Sequence, residues 1–506
     1  MKHIKFYYHL LLAFSYFFIF LNCFIYGQSL NINNEEKLLE NLHAISSHQL
    51  YEYVKELTSE KYEGRLTGTD KYNKAADWVA SCLEEWNIQP LGDDDTYFQN
   101  FDIPYTLVFE GCKVYLHIPI KGSTIKKQYH YFKEFIPGST SGSGEVTAEV
   151  VYVGYGITAP ELNYDEYKGI DVKGKIVLME REVPVSPNRD PELFKKWRPY
   201  SFHQYKLENA VKHGAKGMLY NYGPIGNPNN AYNENFIYSH VGNLVVSDLF
   251  AGTGQIHKDI IDNIKKTLKP KSFKTGKIVT IKNITEHHPE GKGHNVIGLI
   301  KGSDPELGNE VIIIGAHLDH LGRCYEIMPG ANDNASGVAV LLGVAEALAK
   351  SKTNLKRSVM FVCFGAEEQA IFGSNYYLEN PKFPIEKTVC FINMDGVGCG
   401  DKLNATAAEN YPSFWKFIEK ANEKYIHRVI RPSYFANLGR PRLDAARFLW
   451  KGIPSISISA HGASSYYHTP NDNIETITPE IMEDLAQLLF ITIIDIANQD
   501  SVNFRE

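Results

Sequence analysis

Two adjacent glutamates, Glu367 and Glu368, stand directly after an apolar run in the stretch FVCFGAEEQAIFGS. Neighbouring side chains at the end of a strand point in different directions. One carboxylate can therefore bind a cation while the other takes a proton from water and passes it to a leaving group. A solvated helix start is the plain alternative, because acidic side chains suit the positive end of the helix dipole. Four further stretches carry groups of the same chemistry. GAHLDHLG holds His317, Asp319 and His320, PGANDNASG holds Asp333, NMDGVG holds Asp395, and SSYYHTPNDN holds His468. Singly, an Asp before a helix reads as a cap, and a lone loop His as a residue bonded to backbone. Gathered on one rim, these groups would repel one another unless cations lay between them.

The donor set narrows the metal. Imidazoles and carboxylates without a thiolate suit zinc, with cobalt or manganese as substitutes. Five ligands exceed what one tetrahedral catalytic zinc takes, but they serve two ions if one carboxylate bridges. Such ions sit about 3.5–4 Å apart and clamp both the attacking and the developing oxygens. Residue types alone leave open which glutamate binds and which moves protons.

The elements that must carry these groups are legible from residue 295 onward. EVIIIGAH, RSVMFVCFGA, TVCFINMDG and IPSISISA are apolar runs without alternation, and helical segments lie between them. NASGVAVLLGVAEALAK keeps Val338, Leu341, Leu342, Ala345 and Leu348 in helical register, and a closing helix opens at Pro479. The expectation is an α/β fold, a mostly parallel central sheet flanked by helices, with ligands beyond the carboxyl ends of the strands. Residues 34–89 read as helical around the glycine-punctuated loop EGRLTGTD, and YFQNFDIPYTLVFEGCKVYLHIPI suits strands. Residues 140–280 alternate short β-runs, glycine turns and one short helix, and they hold no clustered ligand residues. They read as an inserted small β-rich domain. The stretch HHPEGKGH that follows reads as a polar linker rather than a metal site.

The chain has 506 residues, a formal charge of −7 and 43% apolar residues. That length implies two domains or one with a large insertion. The acidic balance excludes a dedicated nucleic-acid binder. Residues 1–27 read as an export signal: Lys2 and Lys5 precede a strongly apolar stretch that ends at Gly27. An uncleaved anchor and a lipoprotein at Cys23 are the rivals. Cleavage takes the charge from −7 to −9 and leaves a chain with no second long apolar run, hence no membrane association and a secreted or periplasmic location. Seven cysteines without a CxxC pair are too few for a disulfide framework. A Cys324–Cys399 bridge is the pairing their positions near the motifs suggest.

In order and context, these motifs resemble the co-catalytic-zinc aminopeptidase family of secreted bacterial leucyl-type aminopeptidases. Glutamate carboxypeptidases, glutaminyl cyclases and the transferrin receptor ectodomain are relatives. EGRLTGTDKYNKAADWVA and LDAARFLWKGIPSI extend the likeness, and residues 140–280 resemble a protease-associated domain. The implied division is a signal peptide (1–27), an N-terminal part of the peptidase (28–139), the insert (140–280) and the catalytic domain (281–506).

The resemblance implies two zinc ions. His317 and Asp395 would hold one, Glu368 and His468 the other, and Asp333 would bridge. Glu367 matches the general base that serves a metal-bridged hydroxide, Asp319 the carboxylate that orients His317, and Tyr467 a substrate-binding tyrosine. Peptides are the implied substrates. Asn332 and Asn473 depart from the family's usual Asp and Thr without removing a ligand.

A carboxypeptidase of the same family would read a free carboxylate, for which Arg440, Arg442 and Arg447 are candidates. A glutaminyl cyclase would use one zinc and depart from HxDH, which is intact here. A non-catalytic binding ectodomain would have lost ligands, and all five are present.

Overall fold

The computed structural model describes residues 35–351, 353–439, 442–462 and 466–505. The expected export segment, with Cys23, lies outside them. The apolar runs form four parallel strands in the spatial order Ser358–Phe364, Val311–His317, Thr388–Met394 and Ser455–His461. Nearly every residue of the first three is buried, as strands covered on both faces require. Antiparallel neighbours extend this sheet. Lys292–Ile300 pairs with Ser358–Phe364 on one side, and Lys402–Thr406 with Ser455–His461 on the other. The chain leaves Val311–His317 for one neighbour and then crosses to the other. The carboxyl end of that strand is therefore a topological switch point, where a crevice opens.

Helix Ser336–Ser351 is buried almost all round because helices Ser47–Leu57 and Pro479–Ala497 both pack on it. Gly343 permits that approach: a Cβ there would lie 2.5 Å from Leu50 Cδ2. Ser46 Oγ accepts the Gln49 N–H at 3.2 Å, and Thr69 Oγ1 accepts the Tyr72 N–H at 3.2 Å. These caps start helices Ser47–Leu57 and Asp70–Glu85, each contributing about 1 kcal/mol.

A second sheet runs in the order Ser123–Gln128, Lys113–Ile120, Phe273–Asn283, Gly144–Tyr152, Ile176–Glu180, Gly217–Asn221, Ile237–Val241 and Phe135–Pro137. Gly144–Tyr152 through Ile237–Val241 are parallel, and the flanking strands are antiparallel. It has its own core, with Tyr152, Leu178, Leu219 and Ile281 buried on one face. This region holds more helix than the single short segment expected: Pro191–Trp197, His203–Lys212, Asn243–Phe250 and His257–Thr267. The last buries only Ile260 and Ile264, too narrow a stripe to stand out among its lysines and aspartates.

A small third sheet joins the two bodies. Thr285–His288 pairs with Tyr105–Val108, and Tyr105–Val108 meets Arg323–Cys324 from the loop after the first histidine motif. HHPEGKGH is thus not a linker but the ends of two strands. Gly291, whose Cβ would come 2.4 Å from Ile103 O, lets the turn press onto its neighbour. Its histidines go to separate aromatic partners: His287 to Tyr232, His288 to Tyr105 and His294 to Phe98. The expected Cys324–Cys399 bridge is also absent. Both thiols are free: Cys324 Sγ lies among Ser139 and Pro137, and Cys399 Sγ donates to Thr476 O at 2.9 Å. Nearness to the motifs in sequence does not bring the two thiols together.

Candidate metal centre

His317 is the last residue of its strand and is buried. Its Nδ1–H donates to the Asp319 carbonyl at 3.1 Å, which aims Nε2 outward. That nitrogen lies 3.2 Å from Asp333 Oδ1 and 3.6 Å from Asp395 Oδ1. The other Asp333 oxygen, Oδ2, lies 3.3 Å from His468 Nε2. The same His468 nitrogen is 3.0 Å from Glu368 Oε2. The fold thus gathers His317, Asp333, Glu368, Asp395 and His468 around one carboxylate whose two oxygens face different imidazoles.

The Asp319 carboxylate stands behind His317, its Oδ1 3.6 Å from Nδ1. Fully buried, it accepts the Glu367 N–H and the Glu368 N–H, each at 3.1 Å. The loop carrying the glutamate pair is thereby tied to the loop carrying His317. His320, which residue type alone singles out without giving it a role, also comes to the centre. Its Nδ1 lies 3.0 Å from Glu368 Oε1, and its buried Nε2 has no hydrogen-bond partner. Candidate ligand atoms lie within 4.8 Å of one another in two groups, His317–Asp333–Asp395 and His320–Asp333–Glu368. Tyr467 is 48% exposed, and its ring stacks on His468 at 3.6 Å.

Charge separates the glutamates. Burial opposes ionisation of Glu368, but the His468 and His320 imidazoles pull its pKa down to about 2. Burial pushes Glu367 well above the usual carboxylate range; His317 opposes this, while Glu368, Asp444 and Asp395 add to it. Asp333 is held well below that range despite burial, by the His317, His468 and His320 imidazoles around it. Neighbouring carboxyls driven apart in this way mark an acid/base division of labour.

Three supporting residues carry no local signal that points to this role. Arg65, from EGRLTGTD, is fully buried and spends its guanidinium on backbone: Nε on Leu318 O (2.8 Å), Nη1 on Leu57 O (2.7 Å) and Pro329 O (2.8 Å), Nη2 on Gly330 O (2.9 Å). It clasps the loops on either side of the metal-facing residues, and burial lowers its pKa to about 10. Thr67, two residues on, accepts the Ala366 N–H at 2.8 Å, just before the glutamate pair. Asp472 accepts the Asn332 N–H (2.9 Å) and the Asp333 N–H (3.0 Å). In sequence it reads only as part of TPND.

A cavity of ≈ 330 Å³ opens over the centre. Glu367, Glu368, Tyr467 and His468 form one wall; Arg181, Tyr222 and Asn227 of the second body form the other. Arg442 also lines it and donates to Glu182 at 2.8 Å. Arg447 packs over Trp450 instead, and Arg440 lies outside the described residues.

The residues fit a cation. Buried Nε2 atoms of His468 and His320 lack hydrogen-bond partners, and the carboxylates beside them need positive charge. Among the described residues no helix is long and apolar enough to cross a membrane.

Comparison with known proteins agrees with this architecture. Residues 295–493 match Peptidase family M28, and residues 146–254 match the PA domain. Aminopeptidase YwaD of Bacillus subtilis is 24% identical over 482 residues, covering 92% of this chain and 87% of that protein. A probable leucine aminopeptidase 2 of Aspergillus oryzae is 30% identical over 218 residues, 41% of its length. A vacuolar membrane protease of Candida tropicalis is 26% identical, but the match spans 24% of that protein. Among solved structures, an aminopeptidase from Aneurinibacillus sp. strain AM-1 superposes with a TM-score of 0.65 at 23% identity, covering 92% of this chain and 97% of the other. BSAP, a zinc aminopeptidase from Bacillus subtilis, gives 0.61 at 20% identity, over 91% and 98%. Both matched regions fall on the two sheets described above: the chain is a metallopeptidase whose metal-centre region matches Peptidase family M28 and whose second sheet matches the PA domain.

Proposed function

We propose that this chain is a dinuclear zinc exopeptidase, most simply an aminopeptidase that removes the N-terminal residue of exported peptides or proteins. The observation that carries the reading is the Asp333 carboxylate, whose oxygens stand 3.2 Å from one imidazole and 3.3 Å from another. A carboxylate so placed would serve two ions, with His317 and Asp395 to hold one and Glu368 and His468 to hold the other. His468 is preferred over His320 as ligand because its Nε2 meets both Asp333 and Glu368, whereas His320 meets Glu368 through Nδ1. Zinc suits this donor set, and one structural relative, BSAP, is itself a zinc aminopeptidase.

Bound there, zinc would supply an acidified water and an electrophile for the scissile carbonyl. The chain's own residues do the rest. Glu367, free of ligand duty, accepts the proton and delivers it to the departing amine. Asp319 holds both glutamate amides so that the pair keeps its two orientations. Tyr467, which lines the cavity, would contact the substrate. Residues 1–27 would direct export.

A second reading, a carboxypeptidase, is favoured by Arg181 and Arg442 at the same cavity. One experiment separates the two: hydrolysis of free, N-blocked and C-amidated peptides, with and without chelator, alongside metal analysis. An aminopeptidase rejects the N-blocked peptides and accepts the amidated ones. Cleavage that needs a free C-terminus, or that survives full metal removal, overturns the reading.

A further inference from the structure

The two metal-facing histidines are held differently. His317 is aimed by a carbonyl two residues away in its own loop. His468 is aimed from across the seam: its Nδ1 lies 2.8 Å from Gly226 O, and the Gly226 N–H donates back to the His468 carbonyl at 3.0 Å. With Nδ1 protonated toward a carbonyl, the Nε2 lone pair must face Asp333 and Glu368. The backbone of His468 itself sits in the left-handed region, at φ +57°. The reciprocal contact thus fixes both the ring and the turn that carries it.

Gly226 belongs to the second body, in the turn after strand Gly217–Asn221. That turn is fastened to its own sheet. His240 Nδ1 donates to Ile225 O at 2.8 Å, the Gly223 N–H donates to Val241 O at 3.2 Å, and the Asn227 N–H donates to Ser139 Oγ at 3.2 Å. On its other side Gly226 presses against the peptidase. A Cβ there would fall 2.8 Å from Leu321 Cδ1, and Leu321 follows His320 in the first histidine motif. Leu321 is buried.

We propose that the PA domain is a structural part of the metal centre, with Gly226 as the positioning residue that sets the tautomer and aim of His468. Movement of the inserted module relative to the peptidase is then transmitted to one metal site and not equally to the other. This rests on the reading of His468 as a ligand.

The test uses the full zinc-loaded enzyme and Gly226→Val, whose side chain pushes the turn off Leu321. Zinc affinity is measured by chelator competition, with kcat, KM and the melting temperature of the metal-free protein. The expected result is a ~10–100-fold weaker hold on one of two ions and a lower kcat with KM nearly unchanged. The metal-free melting temperature stays close to wild type. Leu321→Ala in the same chain makes room for the added side chain and restores affinity. Should Gly226→Val not accumulate folded, Gly226→Ala is measured in the same way, with a smaller loss and the same rescue. Two ions held as tightly as in wild type with unchanged kcat, or loss without rescue by Leu321→Ala, overturns the proposal. His468→Ala is run beside them: if it keeps both ions, the ligand assignment itself has failed, a different outcome from a silent Gly226 variant.

Discussion

Two sheets in this molecule share a plan: four parallel strands at the centre, antiparallel strands at the flanks. Both turn the carboxyl ends of those strands toward the same cavity. From the peptidase sheet come Glu367 and Glu368, with His317 and Asp395 at the neighbouring strand ends. From the PA domain come Arg181 after Ile176–Glu180, and Tyr222, Gly226 and Asn227 after Gly217–Asn221. One rim is anionic and imidazole-rich; the other sets Arg181 and Glu182 among aromatic and amide groups. The same topological rule places both, but side-chain charge suits only one of the two rims to cations.

The comparison breaks first at its anionic rim. Asp333→Ala should abolish retention of metal, read by elemental analysis after gel filtration, with activity at background. Stoichiometric zinc in that variant would mean that the bridging carboxylate is elsewhere. Glu367→Gln should keep full metal content and lower kcat by roughly 10²–10⁴-fold. Near-normal turnover would remove it as the base.

A further prediction concerns the scaffold beneath that rim. Arg65→Met strands four backbone carbonyls that now share one guanidinium. The loss should be roughly 3 kcal/mol or more, measured as a shift in denaturation midpoint with unchanged slope. A loss below ~1 kcal/mol would show that water replaces the side chain freely.

The smallest effect lies beneath the PA-domain rim. Burial pushes His240 down to about 4 from 6.5, the Ile225 carbonyl opposing and His468 adding to the shift. Its folded pKa lies below its unfolded one, so its contribution is full above ~6.5 and is lost as pH falls from there toward 4. In metal-free enzyme, wild type should lose about 3 kcal/mol more than His240→Asn between pH 7 and 4. Equal pH slopes would show that the imidazole is not kept neutral.

What is legible in the sequence follows from where the information lies. Four of the five candidate ligands end or closely follow an apolar strand or precede a helix, and His468 stands in the loop after the fourth strand, so local pattern and residue type suffice to list them. Arg65, Thr67, Asp472 and Gly226 make contacts with partners 139 to 299 residues away. No periodicity encodes a partner at that distance. The helices of the PA domain escape sequence reading for a related reason: Pro191–Trp197 and Asn243–Phe250 are two turns long, too short to establish a repeat.

Where the second body enters and leaves the peptidase, its two ends touch: the Phe109 N–H donates to Ile284 O at 2.8 Å. Excising everything between would need a splice of only a few residues, and the remaining strands could close over the gap. Yet such a shortened chain would arrive with a histidine whose proton has no carbonyl to answer it. Loss of the module is therefore easy for the backbone and hard for the chemistry, unless another loop grows into the vacated place.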